Sequence, residues 1–186
     1  MRQSSNAAEA DSKQAAGSDR KALARRARRD VKRGAVTADY EADRDEVLKI
    51  LDAALATELV CMLRYRRHGY AARGLRAKSA AEEFFEHAQQ ELEHADKICA
   101  RIVQLGGLPD LRPETLVDRS HAEYVECSAI EDMITENLVA ERIAIETYRA
   151  AIQTIGDRDP TTRRVLESIL EVEEEHAEDL VGMLPE

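Results

Sequence analysis

Four segments of this chain repeat apolar residues every three or four positions, and each repeat is interrupted near its middle by a glutamate. This period places the apolar side chains on one face of an α-helix. Four such faces can be buried together when the helices pack as a bundle. We predict helices at residues 43–72, 79–105, 128–155 and 160–183.

The links between these segments restrict how the bundle is connected. Short links join the first helix to the second and the third to the fourth, so we expect each pair to be antiparallel. A connection of about twenty residues, with Pro109 and Pro113, joins the second helix to the third and is long enough to cross the bundle. The predicted fold is all-α, a four-helix bundle with a long crossover between helices 2 and 3.

Composition excludes several other classes of protein. No apolar run approaches the roughly 20 residues of a membrane span, and the opening MRQSSNAAEA lacks the apolar stretch of a secretory signal. Three cysteines are an odd number and do not indicate a dense disulfide framework. We therefore expect a cytoplasmic protein with no membrane partner.

Charge divides the chain into two predicted parts. Residues 1–40 contain ten Lys or Arg against five Asp or Glu, whereas the whole chain carries a net charge of −10. The first part also lacks a long apolar stripe, which is typical of a mobile segment. We predict a flexible basic tail at residues 1–40 and the bundle at residues 41–186.

The interrupting acids form a pattern across the four predicted helices. The first and third helices each place one Glu on the apolar face, and the second and fourth each place a Glu-x-x-His pair there. Residues i and i+3 share a helix face, so each pair directs an oxygen and a nitrogen to one point. The candidate metal ligands are Glu58, Glu91, His94, Glu141, Glu173 and His176.

Buried carboxylates are costly unless they are paired or bound to metal. No Lys or Arg lies on the same stripes, and four unpaired acids would repel one another. The six ligands suit two divalent iron or manganese ions, and the lack of thiolates fits a structural zinc site poorly. The alternative, a solvated acidic face, does not explain why both pairs and both single glutamates fall on apolar stripes.

At this point the chain resembles the ferritin-like di-iron superfamily over residues 43–183. ELEHADKICARIVQLGGLPDL resembles the second helix and following turn of bacterioferritin, and ENLVAERIAIETYRAAI resembles its third helix. The resemblance implies that the six candidate residues are the catalytic metal ligands. In bacterioferritin the Glu of each Glu-x-x-His unit bridges the two metals, which implies Glu91 and Glu173 as bridges here; the alternative is that they exchange bridging and terminal roles with Glu58 and Glu141.

Two departures from bacterioferritin are visible. Leu92 stands where that family has the haem-binding Met, so haem is not expected, and the chain stops ten residues after His176, without the fifth helix of the 24-subunit shell. The absence of the fifth helix favours the twelve-subunit Dps-like proteins, or thioferritins. That resemblance implies that Cys99 and Cys127 lie beside the site as a disulfide or a redox dithiol; the alternative is that both pack as small hydrophobic side chains. Tyr65 stands where the bacterioferritin family has a tyrosine near the site and is expected either to support the site or to pack as a core aromatic residue, while Cys61 is expected to pack.

The implied function is a ferroxidase that oxidises Fe(II) with hydrogen peroxide or oxygen, stores the product and protects against oxidative stress. The alternatives are a haem-free 24-subunit bacterioferritin-like protein, a manganese catalase or rubrerythrin-like peroxidase, and a non-enzymatic protein that compacts DNA. His68, His87 and His121 lack a Glu three residues before them and are predicted to lie at the surface or to pack.

The basic segment at residues 18–36 is rich in Arg and has no aromatic residue. Dps proteins often hold DNA with basic N-terminal tails through phosphate contacts, which are sensitive to salt and insensitive to sequence. We therefore expect either non-specific DNA binding or a solvated, intersubunit role for this segment.

Overall fold

The structure, a computed structural model, describes residues 19–73 and 77–184. These ranges contain no β-strand, and the predicted all-α class is confirmed. The four long helices begin and end within two residues of the predicted positions. The α-helices of the bundle unit are α1 (Arg44–Ala71), α2 (Ala77–Gln104), the short α3 (Leu116–Arg119), α4 (Ile130–Ile155) and α5 (Pro160–Met183).

Local signals in the sequence set these boundaries. Asp43 caps α1 by accepting hydrogen bonds from the backbone N–H groups of Asp45 and Glu46 at 3.0 and 3.2 Å. Gly156 ends α4 with a φ of 55°, a conformation that glycine adopts without steric cost. The side chain of Asp159 and the ring of Pro160 then start α5.

Contacts between the helices fix their directions. Glu58 of α1 meets His94 of α2, and Tyr65, two turns further along α1, meets the earlier residue His87. The two helices are therefore antiparallel. Tyr65, late in α1, binds Glu141, whereas the earlier Glu58 binds Tyr148, which follows Glu141 in α4. The helix α4 is therefore antiparallel to α1. It follows that α2 and α4 run parallel to each other.

The crossover from α2 to α4 is pinned along α1. His121 donates its backbone N–H to the Thr57 hydroxyl at 3.0 Å, and further along α1 the Arg64 side chain donates to the Glu123 carbonyl at 2.9 Å. His68 reaches the carbonyl of Val125 at 3.1 Å. The segment thus crosses the length of the bundle beside α1, which confirms the predicted up-down, crossover, up-down connection.

Two apolar layers enclose the middle of the bundle. One layer contains Tyr65, Phe84, Met133 and Leu180. On the opposite side along α1, α2 and α5, fully buried aliphatic side chains continue the core; they include Leu51, Leu55, Ile98, Leu105, Leu166 and Ile169. The interrupting glutamates therefore lie between two water-excluding layers.

The segment before the bundle forms a separate unit that ends at Tyr40. In its described part, residues 19–27 are helical and Val31–Arg33 form a 3-10 turn. All eight Lys and Arg side chains between residues 19 and 35 are exposed. The flexibility predicted for residues 1–40 stays a prediction. Within the described ranges, no helix is both long and apolar enough to cross a bilayer.

Candidate metal centre

The six predicted ligands converge in the middle of the bundle. None of them is more than 2% exposed. They form two groups of four donors, and within each group the donor atoms lie within 4.8 Å of one another. We call Glu58 and His94, with the two shared glutamates, the first half-site. Glu141 and His176, with the same two glutamates, form the second half-site.

Glu91 and Glu173 belong to both half-sites, and each offers one oxygen to each side. Glu91 places Oε2 3.7 Å from His94 Nδ1 and Oε1 3.7 Å from His176 Nδ1. Glu173 places Oε1 3.0 Å from His94 Nδ1 and Oε2 3.5 Å from His176 Nδ1. This arrangement would let Glu91 and Glu173 bridge two metals, as the resemblance to bacterioferritin implies.

Electrostatics show how unfavourable the cluster is without cations. Burial first, and then the neighbouring carboxylates, raise the pKa of Glu91 and Glu141 well above the usual range of a glutamate. Burial lowers the pKa of His94, but the adjacent carboxylates of Glu173 and Glu58 outweigh it and raise that pKa to about 9. The cluster thus retains protons that divalent cations would displace.

Buried atoms without hydrogen-bond partners also indicate that the cluster suits cations. Five buried atoms of the cluster have no hydrogen-bond partner among the described residues: Glu91 Oε1, Glu141 Oε2, both oxygens of Glu173, and His176 Nδ1. Within the same ranges, no Lys or Arg forms an ion pair with any of the six residues. Buried polar atoms are normally satisfied, and these converge on two points. The donor set therefore fits two divalent metal ions held by nitrogen and oxygen.

Two tyrosines orient the terminal glutamates across the bundle. Tyr65 of α1 donates its hydroxyl to Glu141 of α4, which places Tyr65 at the predicted site. Tyr148 of α4 donates to Glu58 Oε1 of α1 at 2.5 Å. Each tyrosine follows the glutamate of its own helix by seven residues and binds the glutamate of the other helix. Tyr148 was not predicted at the site, although this repeated Glu-x6-Tyr spacing could have revealed it.

Other residues near the centre were also missed. Gln90 Oε1 lies 2.6 Å from His176 Nε2 and fixes the ring that faces the glutamates. His87, predicted at the surface or in packing, is buried and stacks on the His176 ring at a centroid distance of 4.0 Å. Arg64 is buried as well, and Asn137 accepts a hydrogen bond from it at 3.0 Å.

The structure does not bring the predicted redox pair of Cys99 and Cys127 together. All three cysteines are free thiols. Cys127 packs against the layer that contains Tyr65 and Phe84, whereas Cys99 lies five residues past His94 in the opposite direction along α2. At 1.5 Å per residue the two cysteines are separated by roughly 25 Å along the bundle, far beyond the ~7 Å Cα separation that a disulfide allows. Cys61 packs with Ala122 and Ala140, as predicted.

Known proteins are similar to this chain over most of its length. The sequence profile of the ferritin-like domain family matches residues 48–185. A nutrient stress-induced DNA-binding protein from Synechococcus is 30% identical over 151 residues, covering 75% of this chain and 81% of that protein. A bacterioferritin from Rhodobacter capsulatus is 29% identical over 138 residues, covering 73% of this chain and 80% of its own.

Among solved structures, a similar one is the dodecameric thioferritin of Bacteroides fragilis, a bacterioferritin-related protein. It superposes with a TM-score of 0.73 at 30% identity, covering 76% of this chain and 86% of its own. The family profile spans nearly the whole helical unit, and the chain therefore belongs to the ferritin-like domain family.

Proposed function

We propose that this protein is a ferroxidase and iron-storage mini-ferritin, which oxidises Fe(II) with hydrogen peroxide or oxygen and so protects against oxidative stress. The observation that carries the proposal is the pair of four-donor groups that share Glu91 and Glu173. Fe(II) is the substrate, and two ions bound side by side supply two electrons together. Two Fe(II), one hydrogen peroxide and two protons give two Fe(III) and two waters, without the one-electron step that releases hydroxyl radical.

Each residue of the centre has a distinct task in this reaction. The shared glutamates hold both ions and fix their separation, while His94 and His176 complete the two half-sites. Tyr65 and Tyr148 keep Glu141 and Glu58 directed inward. The retained protons noted above leave as the cations bind, because each ligand coordinates in its deprotonated form.

The test is the rate of Fe(II) oxidation by the assembled protein. Protein would be loaded with Fe(II) without oxygen and mixed with peroxide while ferric absorbance is followed. We expect two Fe(II) consumed per peroxide, and loss of the fast phase in Glu141→Ala and His94→Ala. Glu86→Gln, an exposed change on α2, is the matched control. Oxidation by both variants at the parent rate would contradict the assignment, and peroxide turnover without iron consumption would indicate the catalase-like alternative.

We propose a dodecameric shell for the assembly. The supporting observation is the similarity to the B. fragilis thioferritin, which is described as dodecameric. The native mass separates the alternatives, since the shell would weigh either twelve or twenty-four times the 20.8 kDa chain. A particle of twenty-four chains would instead support the haem-free bacterioferritin-like alternative.

We also propose that residues 18–36 bind DNA without sequence preference. The exposure of all eight basic side chains between residues 19 and 35 supports this, as does the similarity to a DNA-binding protein from Synechococcus. Deletion of residues 1–36 should abolish a DNA gel shift while Fe(II) oxidation continues. The shift by the full chain should weaken steeply with added salt, because phosphate contacts release counterions. A truncated protein that shifts DNA as well as the parent would exclude this role.

A further inference from the structure

A second group of potential ligands lies beside the dinuclear centre. Glu83 and His87 of α2 and Asp179 of α5 place donor atoms within 4.8 Å of one another. We call these three residues the outer cluster. His87 Nε2 lies 3.2 Å from Glu83 Oε1 and 3.7 Å from Asp179 Oδ2. Despite these distances, His87 Nε2 has no hydrogen-bond partner among the described residues, although the side chain is only 2% exposed.

The hydrogen bonds around His87 decide which ring nitrogen carries the proton. Tyr65 donates its single hydroxyl proton to Glu141, so its oxygen must accept at the 3.2 Å contact with His87 Nδ1. Nδ1 is then the protonated nitrogen, and Nε2 presents a lone pair. That lone pair faces two carboxylates, which are acceptors when ionised. A cation between the three groups satisfies all of them at once.

The solvent exposure of the three side chains in the outer cluster decreases towards the dinuclear centre. The side chain of Asp179 is 57% exposed, that of Glu83 is 35% exposed, and that of His87 is 2% exposed. Beyond His87 lies His176, whose ring stacks on it. A cation captured by the exposed carboxylates would therefore lie against His87, whose ring contacts a ligand of the second half-site.

We propose that Glu83, His87 and Asp179 form a third divalent-cation site, which binds Fe(II) and delivers it to the dinuclear centre. One nitrogen and two carboxylates are donors that suit Fe(II), Mn(II), Co(II) or Zn(II). Delivery rests on the proposed ferroxidase function, but cation binding at this site does not. The exposure of two ligands makes binding reversible, as delivery requires.

The experiment counts Co(II) ions on the metal-free full-length protein by calorimetry and locates them by anomalous diffraction. We expect three ions per chain in the parent, and two in the double variant Glu83→Gln/Asp179→Asn. A double variant with the same charge change outside the cluster, Glu86→Gln/Glu178→Gln, should keep three. A parent with only two ions per chain, or three ions retained in the first variant, would overturn the site.

Kinetics with Fe(II) test delivery separately. In Glu83→Gln/Asp179→Asn, the Fe(II) concentration that gives half of the maximal oxidation rate should rise about tenfold or more. The maximal rate should fall by a smaller factor. An unchanged half-saturation concentration in a variant that has lost the third Co(II) would overturn delivery. Absence of oxidation in the parent would reject the proposed function, while the Co(II) count would still decide the third site.

Discussion

The two half-sites of the metal centre are built from repeated parts but differ in their surroundings. Each combines a helix with Glu-x6-Tyr and a helix with Glu-x-x-His. Around the second half-site, the positions one, four and eight residues before Glu91 hold Gln90, His87 and Glu83. The same offsets before Glu173 hold Val172, Ile169 and Val165.

The residues three positions after the two ligand histidines also differ in charge. Asp179 follows His176, whereas Lys97 follows His94. Polar and anionic groups therefore line one approach to the centre, and apolar side chains and a cation lie at the corresponding positions on the other side. A field of this sign favours the approach of cations to the second half-site. Under the proposed function, the repeat would hold two metals and its exceptions would set the side from which they arrive.

The sharpest test of the repeat removes a shared ligand and compares it with an unshared one. Glu173→Ala should abolish tight binding of both Co(II) ions and slow Fe(II) oxidation well beyond 100-fold, because both half-sites lose an oxygen. His94→Ala and His176→Ala should each weaken one ion. Titration of Co(II) by visible absorption would measure this. Equal loss of both ions in the two histidine variants would show that the half-sites are not separable.

The two tyrosines that bind the terminal glutamates allow a second comparison of the half-sites. Tyr148→Phe removes only the hydrogen bond to Glu58 and should weaken metal binding about 10-fold. Tyr65→Phe should have the larger effect, up to about 100-fold, since the Tyr65 hydroxyl contacts both Glu141 and His87. Phe fills nearly the same volume, so the melting temperature checks that packing is retained. A larger defect in Tyr148→Phe would contradict the asymmetry.

Acidity offers a smaller test, on the metal-free protein. His94 has a pKa of about 9 in the folded chain against 6.5 ordinarily, and the pKa of Glu91 is also raised. Raised groups stabilise the fold fully below their unfolded values, and this stability is lost as pH rises through the folded ones. Between pH 7 and 9 we expect a loss of up to about 1.4 kcal/mol per pH unit for each retained proton.

Denaturant unfolding of chelated protein at pH 7 and pH 9 would measure this loss. His94→Gln should flatten the dependence, because the amide does not titrate, whereas the exposed change Glu86→Gln should not. The pKa of Glu58 is lowered, since burial raises it but hydrogen bonds outweigh that effect. Its contribution is therefore lost only at low pH and does not enter this window. A fold that gains stability from pH 7 to 9 would contradict the charge distribution described here.

Local geometry explains why the ligands could be predicted from the sequence. Glu91 and His94 are three residues apart, so their shared face follows from helix geometry alone. The same holds for Glu173 and His176. By contrast, the contact of His87 with Asp179 depends on the register between α2 and α5, which no local spacing encodes. Gln90 was missed for the same reason, because its partner His176 lies 86 residues away.

The cysteines show what a prediction from helix faces leaves undetermined. The sequence places Cys99 five residues after one ligand and Cys127 fourteen before another, on similar faces. Because α2 and α4 run parallel, those offsets point in opposite directions along the bundle and add to each other. Cys99 lies on the side of Leu51 and Ile98, and Cys127 on the side of Tyr65 and Phe84.

The smallest expected effect follows from that separation. Protein exposed to air and then denatured without reductant should release three titratable thiols per chain, and Cys99→Ala/Cys127→Ala should release one. The double variant should oxidise Fe(II) at the parent rate with or without reductant, because neither thiol reaches the half-sites. Cys61→Ala is the contrasting variant, since Cys61 is buried with Ala122 and Ala140 and its loss should lower the melting temperature. One thiol released by the parent and three by reduced protein would mean that Cys99 and Cys127 pair after all, and would require the crossover to leave its position along α1.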